Sequence, residues 1–387
     1  MIQEFLSYSA DALKMKYINQ FFKYIGGNIM TLKEISEKIT SLNAKAVEEA
    51  RIRQESLVKP AGSLGTLESI SIQMAGITGR VKNSLNKKVL FLFGADNGIY
   101  AEGVTASPQY FTNFLMRNYA SGHKCGINVI CDYNHVDLKL VDMGIIGEID
   151  YTNVYNRKLM PNGTKNFYKE RSMNSEIALK AIETGFEFAQ SACSEGYDII
   201  GTGEVGMGNT STASACIMAA LEMFDADRAV GRGAGLTDEG YEKKKKTITE
   251  ALKMHKPTCD DIVDILSKVG GLDIAAMTGL FIGAAYCRLP IVIDGVISIA
   301  AALLAYKFNP LVKDFMIPSH VSEEPAYMLA AEAMKLKPML KLEMRLGEGT
   351  GCPLAMEIVG NALAIINNMS TFEEVNMDTE FREGIKA

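Results

Sequence analysis

Short apolar runs alternate with segments of helical periodicity along most of the chain. Four runs rich in β-branched residues, each ending near glycine and an acidic residue, cover residues 88–99, 135–145, 197–209 and 288–298. Apolar residues recur at helical spacing in other segments, notably 31–58, 175–195, 211–224, 238–254 and 273–286. Strands that alternate with helices predict an α/β fold, with a largely parallel sheet flanked by helices.

The polar ends of the apolar runs indicate one shared ligand site. In open parallel α/β sheets, ligands bind beyond the carboxyl ends of the strands. The glycines and acidic residues that end the four runs fall at that edge. We therefore expect a single pocket to collect them.

Both ends of the chain are helical in pattern and differ from the middle. Residues 31–87 and 338–387 predict a smaller helical domain, in which Thr31 is a candidate N-cap. The pattern over residues 88–337 predicts the large α/β domain. Residues 1–30 predict an N-terminal helical extension.

Composition narrows the class of protein. Of 387 residues, 48% are hydrophobic and 22% are charged, which is typical of a folded globular chain. The net charge of −6 argues against nucleic acid as the main partner. Seven scattered cysteines without a CxxC pair indicate reduced thiols and a cytoplasmic protein. The start of the chain does not have the pattern of a signal peptide, and charged residues interrupt its most apolar region, so no membrane span is predicted.

Two glycine-rich loops could bind an anion. GTGEVGMGNTSTASA at 201–215 follows a strand and opens a helix, whose amino end attracts negative charge. The alternative is a tight turn with an N-cap. VGRGAGLTDEGYEKKKK at 230–246 brings Lys243 and Lys244 near a second loop, although a solvated helix face would give the same pattern. The spacings of nucleoside triphosphate and dinucleotide motifs are absent from both loops.

A single carboxylate lies between glycines in RLGEGTG, residues 345–351. Glycine on both sides of Glu348 would let a ligand approach the backbone and leave the carboxylate open to act as a general base. Glu204, in the first glycine loop, could bind ribose hydroxyls or assist. For both residues the alternative is a hydrogen-bonded loop acid. The four histidines do not pair at ligand spacing, so no metal site is predicted.

Eight sequence blocks, taken in order, resemble the nicotinate-nucleotide:dimethylbenzimidazole phosphoribosyltransferases, and they lie between about residue 31 and about residue 365. The blocks are KPAGSLGTLE, FGADNGIYAEGVTASPQ, GTGEVGMGNTSTASA, VGRGAGLTDEG, GGLDIAAMTGLFIGAA, PIVIDGVISIAAALLA, SHVSEEPA and RLGEGTG.

The resemblance implies an activity and an assembly. The activity is transfer of the phosphoribosyl group of nicotinate mononucleotide to an aromatic base such as 5,6-dimethylbenzimidazole, which releases nicotinate and forms an α-ribazole-phosphate-type nucleotide for cobamide synthesis. It also implies a Rossmann-like α/β domain, no cofactor, and a homodimer. Two alternatives stay open: a phenolic acceptor such as phenol or p-cresol, or a non-catalytic homologous subunit of a heterodimer.

The resemblance also implies roles for individual residues. Glu348 would be the general base and Glu204 would lie near the ribose. The nucleotide and phosphate positions are Gly206, Gly208, Asn209, Gly233, Gly235, Lys244, Ser322, Gly347 and Gly349. The aromatic-base positions are Asp96, Asn97 and Gln109. Asn97 replaces the histidine that the family commonly has in GDHG, so the motif does not fix the accepted base.

Overall fold

The computed structural model describes residues 21–23 and 29–378. In this part of the chain no helix combines the length and the apolarity that a membrane crossing needs.

Six parallel strands form the central sheet. They are β3 (Lys88–Ala95), β4 (Val136–Gly144), β5 (Val154–Asn156), β6 (Ile199–Val205), β7 (Ile291–Ile293) and β8 (Met316–Pro318). Their order across the sheet is β5-β4-β3-β6-β7-β8. Lys88 at the start of β3 pairs with Val136 of β4 on one side and with Ile199 of β6 on the other. All six strands run in the same direction, which confirms the predicted α/β class.

The strand order creates a crevice in the middle of the sheet. From β3 the chain moves outward through β4 and β5, then returns to build β6, β7 and β8 on the opposite side. The strand order therefore reverses between β3 and β6, and ligands of doubly wound folds bind at such a point, beyond the carboxyl ends of the strands.

Fourteen helices in the described residues surround the sheet and close its ends. They are α1 (Leu32–Lys38), α2 (Ala44–Ser56), α3 (Thr66–Thr78), α4 (Phe111–Ala120), α5 (Gly126–Tyr133), α6 (Ser175–Ser194), α7 (Asn209–Ala220), α8 (Ala226–Ala229), α9 (Asp238–His255), α10 (Ile262–Val269), α11 (Leu272–Tyr286), α12 (Val296–Phe308), α13 (Ala326–Met334) and α14 (Gly351–Asn368). Two short 3-10 helices cover Gly98–Glu102 and Pro310–Phe315. Helices α11 and α12 are almost entirely buried, so the most apolar part of the sequence is core, as predicted.

The four predicted strands are confirmed, although each is shorter than its apolar run. The edge strands β5 and β8 were missed because each has only three residues, too few to establish a pattern. The helical pattern over 31–58 divides into α1 and α2. Thr31 is the N-cap of α1: its hydroxyl accepts the Glu34 N–H at 3.1 Å, and the Glu34 carboxylate accepts the Thr31 N–H at 2.6 Å.

The N-terminal segment departs in part from its predicted helical extension. Strands β1 (Phe21–Lys23) and β2 (Ile29–Thr31) form an antiparallel pair. The prediction of a helix is therefore wrong for these residues. Its remaining parts, residues 1–20 and 24–28, lie outside the described residues.

Helix α14 joins the N-terminal helices to the sheet. It contacts α2 and α3, and it also contacts β6 and β7. Arg53 of α2 donates from Nε to the Ile366 carbonyl of α14 at 2.9 Å. Since the RLGEGTG segment leads into α14, this packing brings that segment to the carboxyl ends of the central strands. The division into two domains stays a prediction.

Candidate active site

A cleft opens at the carboxyl ends of the central strands. Five segments line it: residues 204–210 at the end of β6 and after it, 233–234, 295–297 after β7, 320–324 and 345–348. Further contacts come from α4 and the loop before it. The predicted convergence of the four apolar runs on one pocket is present for two of them, because Glu204, Gly206 and Gly208 of run 197–209 and Gly295 of run 288–298 line the cleft. The runs 88–99 and 135–145 contribute no residue to its lining.

The turn that carries Glu348 is held by a buried carboxylate. Gly347, Glu348 and Gly349 have φ angles of +79°, +62° and +87°. Asp294, at the end of β7, accepts the Gly349 N–H at 3.1 Å and the Gly351 N–H at 2.7 Å. Burial raises the pKa of Asp294 to about 7, and the two N–H groups limit that rise. Asp294 therefore fixes the end of the turn and the start of α14.

The two acids predicted to act together are adjacent. The Glu348 N–H donates to Glu204 Oε1 at 3.3 Å. A methyl group added at Gly347 would come 2.6 Å from the same oxygen, so only glycine allows this approach. Glu204 is the second-last residue of β6 and Glu348 precedes α14, and the close packing of these elements brings the two residues together.

The Glu348 carboxyl group is almost enclosed, with 9% of the residue exposed. Its Oε2 atom has no hydrogen-bond partner within the described residues. Burial raises its pKa, while the Tyr119 hydroxyl and the Ile127 N–H, at the amino end of α5, lie near and lower it in part. A carboxylate with a raised pKa and an oxygen that lacks a hydrogen-bond partner has the properties of a general base.

Glu204 belongs to a buried acidic pair. Burial and the charge of Asp273 raise the pKa of Glu204 to about 8. Burial raises the pKa of Asp273 to about 6. Asn209 separates the two acids, because its Nδ2 atom donates to Glu204 Oε2 and, at 3.2 Å, to Asp273 Oδ2. The protonated form of Glu204 is therefore favoured at neutral pH, and this form can donate a hydrogen bond.

The other end of the cleft is formed by the amino end of α7. Gly208 is the N-cap residue, with φ of +93°, and Thr210 lies in the first turn. Lys244 is fully buried behind this wall. Its Nζ atom donates to Thr210 Oγ1 at 3.0 Å and to the Gly231 carbonyl at 2.9 Å, and burial lowers its pKa to about 8. Of the two candidate lysines, Lys243 is exposed, so Lys244 is the one that reaches the glycine loops.

The second glycine loop meets the segment that contains Ser322. Gly233 and Ser322 both line the cleft, and Gly235 is outside its lining. The Gly233 N–H donates to Glu324 Oε1 at 2.7 Å. His320 also lines the cleft, and burial lowers its pKa, which keeps it neutral at pH 7.

The three residues predicted at the aromatic-base pocket lie apart from the two glutamates. Asp96 and Gln109 line a separate groove beside α4. Asn97 is buried: it accepts the Thr212 hydroxyl at 3.0 Å and donates to the Ala95 carbonyl at 3.3 Å. The structure does not bring these residues into the lining of the cleft, and their contact with a base stays a prediction.

Sequence reasoning did not assign a role to four residues beside the predicted acids. Asp273 and Asp294 lie within the blocks GGLDIAAMTG and PIVIDGVIS, and an acid at the end of a strand was the available signal for Asp294. Tyr119 and Glu324 come from a helix and a loop without such a pattern. Only packing brings them to Glu348 and Gly233.

The chain is similar to known proteins over most of its length. A family model described as phosphoribosyltransferase matches residues 39–377. The nicotinate-nucleotide–dimethylbenzimidazole phosphoribosyltransferase of Clostridium tetani (strain Massachusetts / E88) is 46% identical over 356 residues, which cover 92% of this chain and 98% of that protein. The chain belongs to this phosphoribosyltransferase family.

Two further relatives support the assignment. A protein of the same name from Clostridium perfringens (strain 13 / Type A) is 45% identical over 92% of this chain and 98% of its own length. The crystal structure of CobT from Thermus thermophilus superposes with a TM-score of 0.82 at 33% identity, and covers 87% of this chain and 99% of that one. The family, the fold class and the enzyme class predicted from the sequence are confirmed.

Proposed function

We propose that this enzyme transfers the phosphoribosyl group of nicotinate mononucleotide to 5,6-dimethylbenzimidazole or a similar aromatic base, with release of nicotinate. The observation that carries the proposal is the meeting of Glu348 and Glu204 in one cleft whose other end is the amino end of α7. A base, a ribose-binding acid and an anion site are the three elements that the transfer needs.

In the proposed reaction, a ring nitrogen of the acceptor attacks C1′ of the ribose. The new C1′–N bond forms as the bond from C1′ to the nicotinate nitrogen breaks, and the electron pair of that bond neutralises the pyridinium. Glu348 accepts the proton that the acceptor loses. Burial raises the pKa of Glu348 and so strengthens it as a base. Because the leaving group is already activated, the enzyme's main contribution is to position the two partners in line.

The remaining residues hold the nucleotide. A protonated Glu204 can donate to a ribose hydroxyl, and its neutral state reduces repulsion of the anionic substrate. The amino end of α7 and the Gly233 loop receive the phosphate. Lys244 orients Thr210 and the Gly231 carbonyl behind that site and supplies positive charge nearby. The proposed nucleotide side of the site also includes Gly206, Gly208, Asn209, Gly235, Ser322, Gly347 and Gly349. The proposed side for the aromatic base consists of Asp96, Asn97 and Gln109.

We further propose a cytoplasmic homodimer that needs no cofactor. Residues 31–87 and 338–387 would form a small helical domain beside the α/β domain of residues 88–337. Contacts of α14 with both α2 and α3 support that grouping.

The test compares the wild type with Glu348→Gln, which keeps the shape of the side chain and removes its basicity. We expect turnover to fall about 100- to 10,000-fold, the usual contribution of a general base, with little change in the Kd of nicotinate mononucleotide. Glu343→Gln is the matched control, because Glu343 is exposed on the same segment and outside the cleft lining. Unchanged turnover in Glu348→Gln would remove Glu348 from the mechanism.

A further inference from the structure

One arginine at the rim of the cleft has no counter-ion. Arg345 lines the cleft together with Leu346, Gly347 and Glu348. It is exposed, and it makes no ion pair or hydrogen bond with any residue in the described ranges. Leu346 next to it is 60% exposed, an apolar surface at the same rim.

The charges around the cleft make this arginine unusual. Three glutamates line the cleft: Glu204, Glu324 and Glu348. His320 is neutral at pH 7 because burial lowers its pKa. Within the described residues, Arg345 is therefore the only permanent cation in the lining, since Lys244 lies buried behind the wall.

The substrate of the proposed function carries two anionic groups, and this inference rests on that function. The phosphate fits the amino end of α7 and the Gly233 loop. The carboxylate of the nicotinate ring needs another partner, and the acceptor base is neutral. A guanidinium is the side chain best suited to hold a planar carboxylate through two hydrogen bonds.

We infer that Arg345 binds the carboxylate of the leaving nicotinate and makes the enzyme select nicotinate mononucleotide over its amide counterpart. Arg345 is separated from Glu348 by only two residues, and Asp294 fixes the turn that follows it. The base and the selecting cation thus lie on one short segment at the rim of the cleft. A nucleotide with an uncharged amide leaves the guanidinium without an ionic partner, so its affinity is lower.

The experiment measures the Kd of nicotinate mononucleotide and of nicotinamide mononucleotide by calorimetry, without an acceptor. The variants are Arg345→Gln, which removes the charge, and Arg345→Lys, which keeps it. Lys341→Gln is the control for long-range charge effects, because Lys341 is exposed on the same segment and outside the lining. We expect Arg345→Gln to weaken nicotinate mononucleotide about 10- to 100-fold, since hydrogen bonds between charged groups are the strong ones.

Each outcome decides between the possible roles of Arg345. Binding of the nicotinate carboxylate by Arg345 is supported if Arg345→Gln changes the Kd of the amide nucleotide less than about threefold and Arg345→Lys retains part of the preference for nicotinate mononucleotide. Equal weakening of both nucleotides would assign Arg345 to the phosphate and overturn the inference. No change for either nucleotide would make it a solvated surface residue and overturn the inference as well. Wild-type protein that binds neither nucleotide would refute the proposed function itself, whereas binding without turnover leaves the Arg345 test intact.

Discussion

The buried acid Glu204 makes the stability of the enzyme depend on pH. Only 7% of this residue is exposed, and burial together with Asp273 raises its pKa from 4.5 to about 8. Because the folded pKa lies above the unfolded one, the unfolded chain loses this proton first. The contribution of Glu204 to stability is thus complete below about pH 4.5 and is lost as the pH rises through about 8.

The size of the effect follows from that difference in pKa. Each pKa unit corresponds to about 1.4 kcal/mol, so ionisation of Glu204 costs at most about 5 kcal/mol of unfolding free energy at high pH. Glu204→Gln cannot ionise, and its amide oxygen can still accept from Asn209. We expect this variant to gain stability relative to the wild type as the pH rises from about 5 to about 9.

The assay is urea unfolding of the wild type and the variant at several pH values, without substrates. Asp273 and Asp294 are present in both proteins, so the difference between the two curves reports the ionisation of Glu204 together with its coupling to Asp273. Glu332→Gln, at an exposed position of α13, should parallel the wild type at all pH values. If the unfolding free energies of Glu204→Gln and the wild type differ by the same amount at every pH, the reasoning is refuted.

Three further substitutions test the support of the site. Gly349→Ala should lower the free energy of unfolding by about 2 kcal/mol or more, because φ is +87° at this position and the new methyl group would come 2.8 Å from the Thr202 carbonyl oxygen. The control is Gly360→Ala in α14, where the methyl group meets nothing within 4 Å, and it should be neutral or slightly stabilising in the same unfolding assay. Lys244→Met should raise the KM for nicotinate mononucleotide more than that for the aromatic acceptor in steady-state kinetics, and equal increases would contradict a role near the phosphate. Asp294→Asn should lower kcat, because an amide can accept only one of the two turn N–H groups through its oxygen; an unchanged kcat at full occupancy of both substrates would show that the turn needs no such anchor.

Motifs that are local in sequence could be predicted, and contacts between distant segments could not. The β3 run KVLFLFGA and the glycine loop after β6 carry their pattern within a few residues, so the strand, the turn and the start of α7 were correctly predicted. The family was predicted from eight sequence blocks that resemble those of its members. Glu348 was singled out because glycine flanks it on both sides, a signal that needs no knowledge of the fold.

The partners that tune these residues come from elsewhere in the chain. Asp294 reaches the Glu348 turn only because β7 lies beside β6 and α14 packs against both. Burial of Lys244 likewise follows from the docking of α9 on α7. The hydrogen bond that Asn97 accepts from Thr212 also joins residues far apart in the sequence, and the motif that contains Asn97 could not predict it.

The most direct test of the account is incubation of the purified chain with nicotinate mononucleotide and 5,6-dimethylbenzimidazole, with parallel reactions that contain adenine, phenol or p-cresol. Products are separated by mass and the configuration at C1′ is determined by NMR. We predict release of nicotinate together with an equal amount of the α-configured benzimidazole nucleotide. Turnover with phenols alone would contradict the proposed acceptor, and no nicotinate release with any acceptor would contradict the proposed function.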